Sequence, residues 1–204
     1  MGPTRAQPKP QQLARERPLV WSDTHGRAHD YLRISITDRC NLRCRYCMPA
    51  EGLEWLPRDE ILSFEETTRL AGIFYDRGVR KIRFTGGEPT LRRDVPELVR
   101  MVHERCPEAS LHMTTNALRL GELAAELRTA GLTGLNISLD TLDPETFREM
   151  ARRDRFEQTW AGVGPRVRRS VPRVHALRPA ERAANRIRLG RRNPPDDRSL
   201  GVYA

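Results

Sequence analysis

Between Tyr31 and Asp140 the chain shows four short runs in which apolar and polar residues alternate: Tyr31–Thr37, Val79–Thr85, Leu111–Asn116 and Leu135–Asp140. Alternation with period two predicts strands, because successive side chains of an extended chain point to opposite faces. One predicted face collects Leu32, Ile34, Ile36, Ile82, Phe84, Leu111, Met113, Leu135, Ile137 and Leu139. The other carries Arg33, Ser35, Thr37, Lys81, Arg83, Thr85, His112, Thr114, Asn116, Asn136, Ser138 and Asp140. The stretches between the runs read as helices. Ser63 and Glu66 have the spacing of a capping box, Asp94 and Glu97 repeat it, and Asp143 followed by Pro144 opens another helix. Gly78 and Gly131 stand where helices should stop, the second after Glu122–Ala130.

Strands alternating with helix-length connections predict right-handed βαβ units and a parallel sheet. A parallel sheet covered on both sides is apolar on both sides. These strands are apolar on one. If helices cover that side, the polar side faces a wet or ligand-filled lumen, unlike the branched apolar interior of a standard eight-stranded barrel. The fold expected is α/β, a partial parallel (βα) barrel of about four units over residues 29–160. The alternative is an open sheet with one solvated face, and the long connections count against it.

The flanks lack periodicity. Residues 1–28 are rich in Pro, Gln and Arg and are expected to be a disordered leader. Residues 161–204 are biased to Arg, Pro, Ala and Gly and are expected to be a disordered basic tail. The net charge of +9 suggests a polyanion partner until its distribution is seen. Eleven arginines against three acids in 161–204 leave a net +1 on the rest of the chain. Nucleic acid is therefore not the expected partner. No run approaches the roughly 18 apolar residues of a membrane span, and the N-terminus lacks the apolar centre of a secretory signal. A cytoplasmic location without membrane association is expected.

Three of the four cysteines lie in TDRCNLRCRYCMP, spaced C-x3-C-x2-C. In a reducing compartment such a cluster suggests metal ligation more than disulfides. Thiolates ligate iron–sulfur clusters, usually four to a cluster. Three of them, Cys40, Cys44 and Cys47, suffice for three irons of a [4Fe–4S] cube and leave the fourth open to another ligand. The loop follows the first strand, at the carboxyl edge where βα folds place their active sites. Zinc is the competing reading, with His25, His29 or Cys106 as a fourth ligand, although none has motif spacing. Three unrelated thiols is another. Cys106, before Pro107, reads as a structural residue.

C-x3-C-x2-C with an aromatic before the last cysteine resembles the radical S-adenosylmethionine (SAM) superfamily, and Gly86-Gly87-Glu88-Pro89 resembles its GGEP motif. LRISITDRCNLRCRYCMP, RKIRFTGGEPTLRRD, TTN and AGLTGLNISLDTLDPETF, in that order, resemble the GTP 3′,8-cyclase family of molybdenum cofactor biosynthesis over about Tyr31 to Gly162. The resemblance implies a SAM-bound [4Fe–4S] cluster on Cys40, Cys44 and Cys47. It implies SAM contacts at Tyr46, Gly87 and Ser138, and GTP contacts at Arg33, Arg83 and Thr114. It further implies cyclisation of GTP, an electron donor such as a flavodoxin or ferredoxin, and a possible homodimer. Arg33, Arg83, Thr114 and Ser138 all fall on the polar strand face, and arginines there suit an anionic ligand. Other readings are a different radical SAM protein such as a peptide maturase, a zinc-containing nucleic-acid-binding module, or an inactive truncated product.

The chain also departs from that family. Ala117 follows TTN where the family usually has Gly. The family's second cysteine triad is expected to be absent, since no cysteine follows Cys106, and the terminal Gly-Gly is missing. A tail translated out of frame after about residue 160 would explain both the composition and the loss of period. A fourth strand with an unpaired edge, and hence poor solubility, is the expected consequence.

Overall fold

The computed structural model describes residues 21–171, 173–176 and 199–202. Four strands stand where alternation places them, with shifted ends: β1 (Tyr31–Ser35), β2 (Lys81–Thr85), β3 (Ser110–Thr115) and β4 (Leu132–Ile137). Helices α1 (Phe64–Asp76), α2 (Val95–Arg105) and α3 (Leu120–Thr129) connect them. Then come α4 (Pro144–Ala151), α5 (Phe156–Ala161), α6 (Pro165–Ser170), β5 (Arg173–Ala176) and β6 (Ser199–Val202). Every pairing is parallel, in the order β5-β4-β3-β2-β1-β6. Among the described residues the sheet does not close on itself.

The sidedness is as expected. Leu32, Ile34, Ile82, Phe84, Leu111, Met113 and Leu135 are all fully buried. Covering each such side chain stabilises the fold by about 1.5–3 kcal/mol. Helices supply the cover: α1 packs on α2, α2 on α3, and α3 on α6. The polar face stays partly open at Ser35, Arg83, Thr114, Asn136 and Ser138, and Arg33 is exposed. One irregularity interrupts it. The β3–β4 register shifts between Leu111 and His112, and the extra residue Thr133 donates its hydroxyl to the Leu111 carbonyl at 2.9 Å.

The cap at α1 forms as predicted. Ser63 Oγ accepts from Glu66 N at 3.1 Å, and Glu66 Oε2 accepts from Ser63 N at 2.8 Å. Asp143 caps α4 by accepting from Thr146 N at 2.7 Å, which holds its carboxyl below the usual range. The second capping box does not form. Asp94 takes a left-handed turn at φ 53°, its side chain makes no cap, and Glu97 instead pairs with Arg100.

Two flank expectations need correction. Of the leader, residues 1–20 lie outside the described residues, but 21–28 form an ordered turn. Asp23 accepts from His25 N at 2.9 Å and from Arg27 N at 3.0 Å, and Ser22 bridges Ala28. The Trp21 ring stands edge-on to Phe74 of α1 at 5.2 Å between centroids. The start of the tail is ordered too: α6 covers α3, and β5 pairs with β4. The β4 edge expected to be bare is therefore covered. A four-residue strand is too short to show a period, which is why alternation did not reveal it. Residues 177–198 of the expected tail lie outside the described residues.

Candidate active site

Beyond its last paired residue, β1 runs into the loop that carries the cysteines, and β2 runs into Gly86-Gly87-Glu88-Pro89. The two loops continue the ladder past the strand ends. Ile36 N donates to Thr85 O at 3.0 Å, Gly87 N to Thr37 O at 2.7 Å, and Glu88 N to Arg39 O at 2.7 Å. Only glycine permits this approach. A Cβ on Gly86, which sits at φ 132°, would fall 2.1 Å from Thr37 O. One on Gly87 would fall 2.4 Å from the Asp38 and Arg39 carbonyl oxygens.

Glu88 ties this pair of loops to β3. It is 1 % exposed, and four donors reach its carboxylate: Thr90 N at 3.1 Å, Thr90 Oγ1 at 2.6 Å, Thr115 Oγ1 at 2.7 Å and Asn116 N at 2.7 Å. A buried carboxylate is tolerated when donors replace its water in this way. Asn116 then reaches the cysteine loop by donating Nδ2 to Asn41 Oδ1 at 2.7 Å. Arg43 stiffens the loop from within, donating to the Cys40 and Leu42 carbonyls at 2.7 and 2.8 Å while its guanidinium lies over Trp55.

The three thiols share one loop. Burial pushes Cys44 up to about 11, a donated Tyr46 hydrogen bond partly offsets this, and the charges of Cys40 and Cys47 add to the rise. Burial also raises Cys40, with Glu88 and Cys47 contributing. A bound cation reverses such a rise, since metal binding requires and stabilises thiolate. Among the described residues no three His, Cys, Asp or Glu side chains meet around a single ion. A cube places each thiolate on a different iron, so it asks for three soft donors on one shared space. Cys40, Cys44 and Cys47 are soft donors of the type such a cluster takes, all on one loop. Cys106 lies apart, fully buried among apolar residues.

The other expected residues lie partly at this edge and partly in mid-strand. Tyr46 donates its hydroxyl to Asp140 Oδ2. Tyr46 is 64 % exposed, and partial desolvation of its phenol together with the Asp140 hydrogen bond raises its pKa. Ser138 follows β4 and donates its N–H to Thr115 O at 2.8 Å. Arg33 and Arg83 are register partners on β1 and β2, and His112 continues the row on β3. The ring of Tyr31 lies 5.3 Å from the Arg83 guanidinium and 4.7 Å from Lys81 Nζ. Thr114 stands one step nearer the carboxyl edge, opposite Asn136. Glu88, Asp140 and the Asn41–Asn116 pair were not singled out from the sequence. Glu88 is a letter of the glycine motif and Asp140 lies on the predicted polar face, so both carried a signal.

The family model described as Radical SAM superfamily matches residues 34–164. The chain is 53 % identical to a GTP 3′,8-cyclase of Rhodopirellula baltica over 147 residues, which cover 72 % of this chain and 41 % of that protein. It is 50 % identical to molybdenum cofactor biosynthesis protein 1 of Drosophila melanogaster over 157 residues, or 77 % of this chain and 27 % of that one. The chain thus spans less than half the length of these relatives. Among solved structures, methylornithine synthase shares the fold with a TM-score of 0.57 at 16 % identity, over 86 % of this chain and 54 % of that one. No helix among the described residues is long and apolar enough to cross a membrane. With the family match running from Ile34 on β1, through the three loop cysteines and the paired glycines, to Gly164 ahead of α6, the chain belongs to the radical SAM superfamily.

Proposed function

We propose that residues 31–164 form the cluster- and SAM-binding part of an enzyme of the GTP 3′,8-cyclase type in molybdenum cofactor biosynthesis. One observation carries the reading: three thiols lie on a single loop at the carboxyl edge of a parallel sheet, held there by two glycines that admit no side chain. Cys40, Cys44 and Cys47 hold a [4Fe–4S] cluster. When bound, that group supplies the electron for reductive cleavage of SAM, and the radical chemistry that follows joins C3′ of the GTP ribose to C8 of guanine.

The protein's own part is to bind and orient. Gly87, fixed against the base of the cysteine loop, leaves backbone open to SAM. Tyr46, whose hydroxyl donates to Asp140, and Ser138, just after β4, contact SAM. Arg33 and Arg83 form a cationic pair on the uncovered sheet face, and Thr114 adds a hydroxyl near the carboxyl edge. Guanidinium groups pair bidentately with phosphate oxygens, and the triphosphate of GTP offers several. The electron comes from a one-electron donor protein of the flavodoxin or ferredoxin class, in the cytoplasm.

Anaerobic reconstitution of the full chain with iron and sulfide tests this. About four irons per chain and an EPR spectrum that changes on adding SAM are expected for one cube. Cys44→Ala should abolish the signal and Cys106→Ala should leave it intact. Stoichiometric zinc in place of iron, or a signal that survives Cys44→Ala, would overturn the reading.

A further inference from the structure

The cysteine loop is held on one side by the glycine turn and on the other by the end of α4, about 100 residues further along the chain. Arg43 N donates to Ala151 O at 3.0 Å, and Arg45 N donates to Met150 O at 2.9 Å. These carbonyls belong to the last turn of the helix, where four carbonyls lack an intrahelical partner. The loop thus satisfies the helix end, and the helix end fixes the loop.

The residue that follows is Arg152, in the left-handed region at φ 51°, ψ 27°. That conformation costs a residue with a Cβ roughly 1–2 kcal/mol, and glycine is the usual occupant of such a position after a helix. From this turn the Arg152 side chain crosses the loop, and Nη1 donates to Met48 O at 2.9 Å. Met48 follows Cys47, the exposed member of the three cysteines. Cys47 N and Met48 N both donate to Cys44 O, at 2.9 and 3.0 Å. Cys47 therefore sits on an outer turn pinned by Cys44 from within and by Arg152 from outside.

We propose that Arg152 is a positioning residue for the third cysteine. Its guanidinium holds the Cys47–Met48 turn so that Cys47 faces the space shared with Cys40 and Cys44. The inference rests on the reading of this loop as a cluster site. A strained backbone conformation at a point of functional contact is how such a role shows itself.

Arg152→Gly separates the side chain from the backbone. Glycine suits the left-handed turn and removes the strain, so the thermal midpoint of the full chain should stay at or above wild type. Loss of iron from the reconstituted protein to a chelator should nevertheless run about tenfold faster, the low end of what losing a residue that supports a metal ligand costs. Arg152→Gln should behave likewise in iron loss, and Arg152→Lys, which keeps one donor and the charge, should restore part of the retention. In the metal-free chain, alkylation of Cys47 followed by peptide mass spectrometry should accelerate several-fold in Arg152→Gly, with Cys106 unchanged. Wild-type iron retention together with wild-type Cys47 alkylation in Arg152→Gly would overturn the proposal. If the wild-type chain takes up no cluster, the proposed function fails, and the alkylation rate alone decides the role of Arg152.

Discussion

On the helix-covered side of the sheet, Leu32, Ile34, Ile82, Phe84 and Met113 meet other apolar side chains and exclude water completely. At the strand ends the cohesion is of another kind. There, backbone lies against backbone at Gly86 and Gly87, a single carboxylate gathers four donors, and thiols remain partly open. The first region tolerates changes of shape at a graded cost, because many small contacts share the load. The second depends on a few directional contacts, each of which leaves a buried polar group stranded when removed.

Truncation inside the covered side should give the largest stability loss. Phe84→Ala removes a fully buried ring between the helix layer and the sheet. A loss of about 3–5 kcal/mol is expected from the cavity and transfer terms together. Urea titration followed by circular dichroism measures it, and a loss below 1 kcal/mol would show that the helix layer collapses freely onto the gap. Cys44→Ala in the metal-free chain is the counterpart from the other region. It should leave the denaturation midpoint near wild type while abolishing cluster uptake.

Glu88→Gln comes next. The amide keeps the shape but has one oxygen for donors that now meet two, so its NH2 group faces Thr90 or Asn116 N–H. A cost of about 1–3 kcal/mol is expected for the donor left unpaired. The same change should loosen the Asn41–Asn116 link to the cysteine loop, so the cluster should also be lost faster than in wild type. Gly87→Ala attacks the same junction sterically. With carbonyl oxygens 2.4 Å from the new Cβ, the two loops must part, at about 1–3 kcal/mol. The SAM-dependent change in the EPR spectrum should disappear with it. Survival of that change would count against the proposed Gly87 contact with SAM.

What the sequence disclosed follows the same division. The covered side was legible because period-two alternation and the Ser63 cap are local signals, and each local signal agrees with the fold. The site was legible as motif letters, three cysteines and two glycines, but not as a network. The Arg152–Met48 hydrogen bond joins residues 104 apart, and no spacing rule reaches that far. The turn at 21–28 escaped because one ring on Phe74 anchors it and a turn has no period. The second capping box failed for the opposite reason. Its letters were right, but the preceding chain reaches Asp94 in a left-handed turn from which the side chain does not cap.

The smallest expected effect lies where the two regions touch. Ala117 follows β3 at φ 67°, fully buried, in a position the sequence marked as unusual for a side chain. Its carbonyl lies so close to Gly162 that a Cβ there would fall 2.0 Å away, so the turn cannot relax toward α5. Ala117→Gly removes a left-handed penalty of about 1–2 kcal/mol but gives the unfolded chain about 0.4–1 kcal/mol more entropy to lose. The net is a gain of about 0.5 kcal/mol, read as a higher urea midpoint with an unchanged slope. The cluster signal should not move, because the hydrogen bond to the cysteine loop at this corner comes from Asn116 and not from Ala117. A midpoint that falls instead would mean that the buried methyl contributes more packing than the strained turn costs, and that this corner belongs to the apolar region rather than to the site.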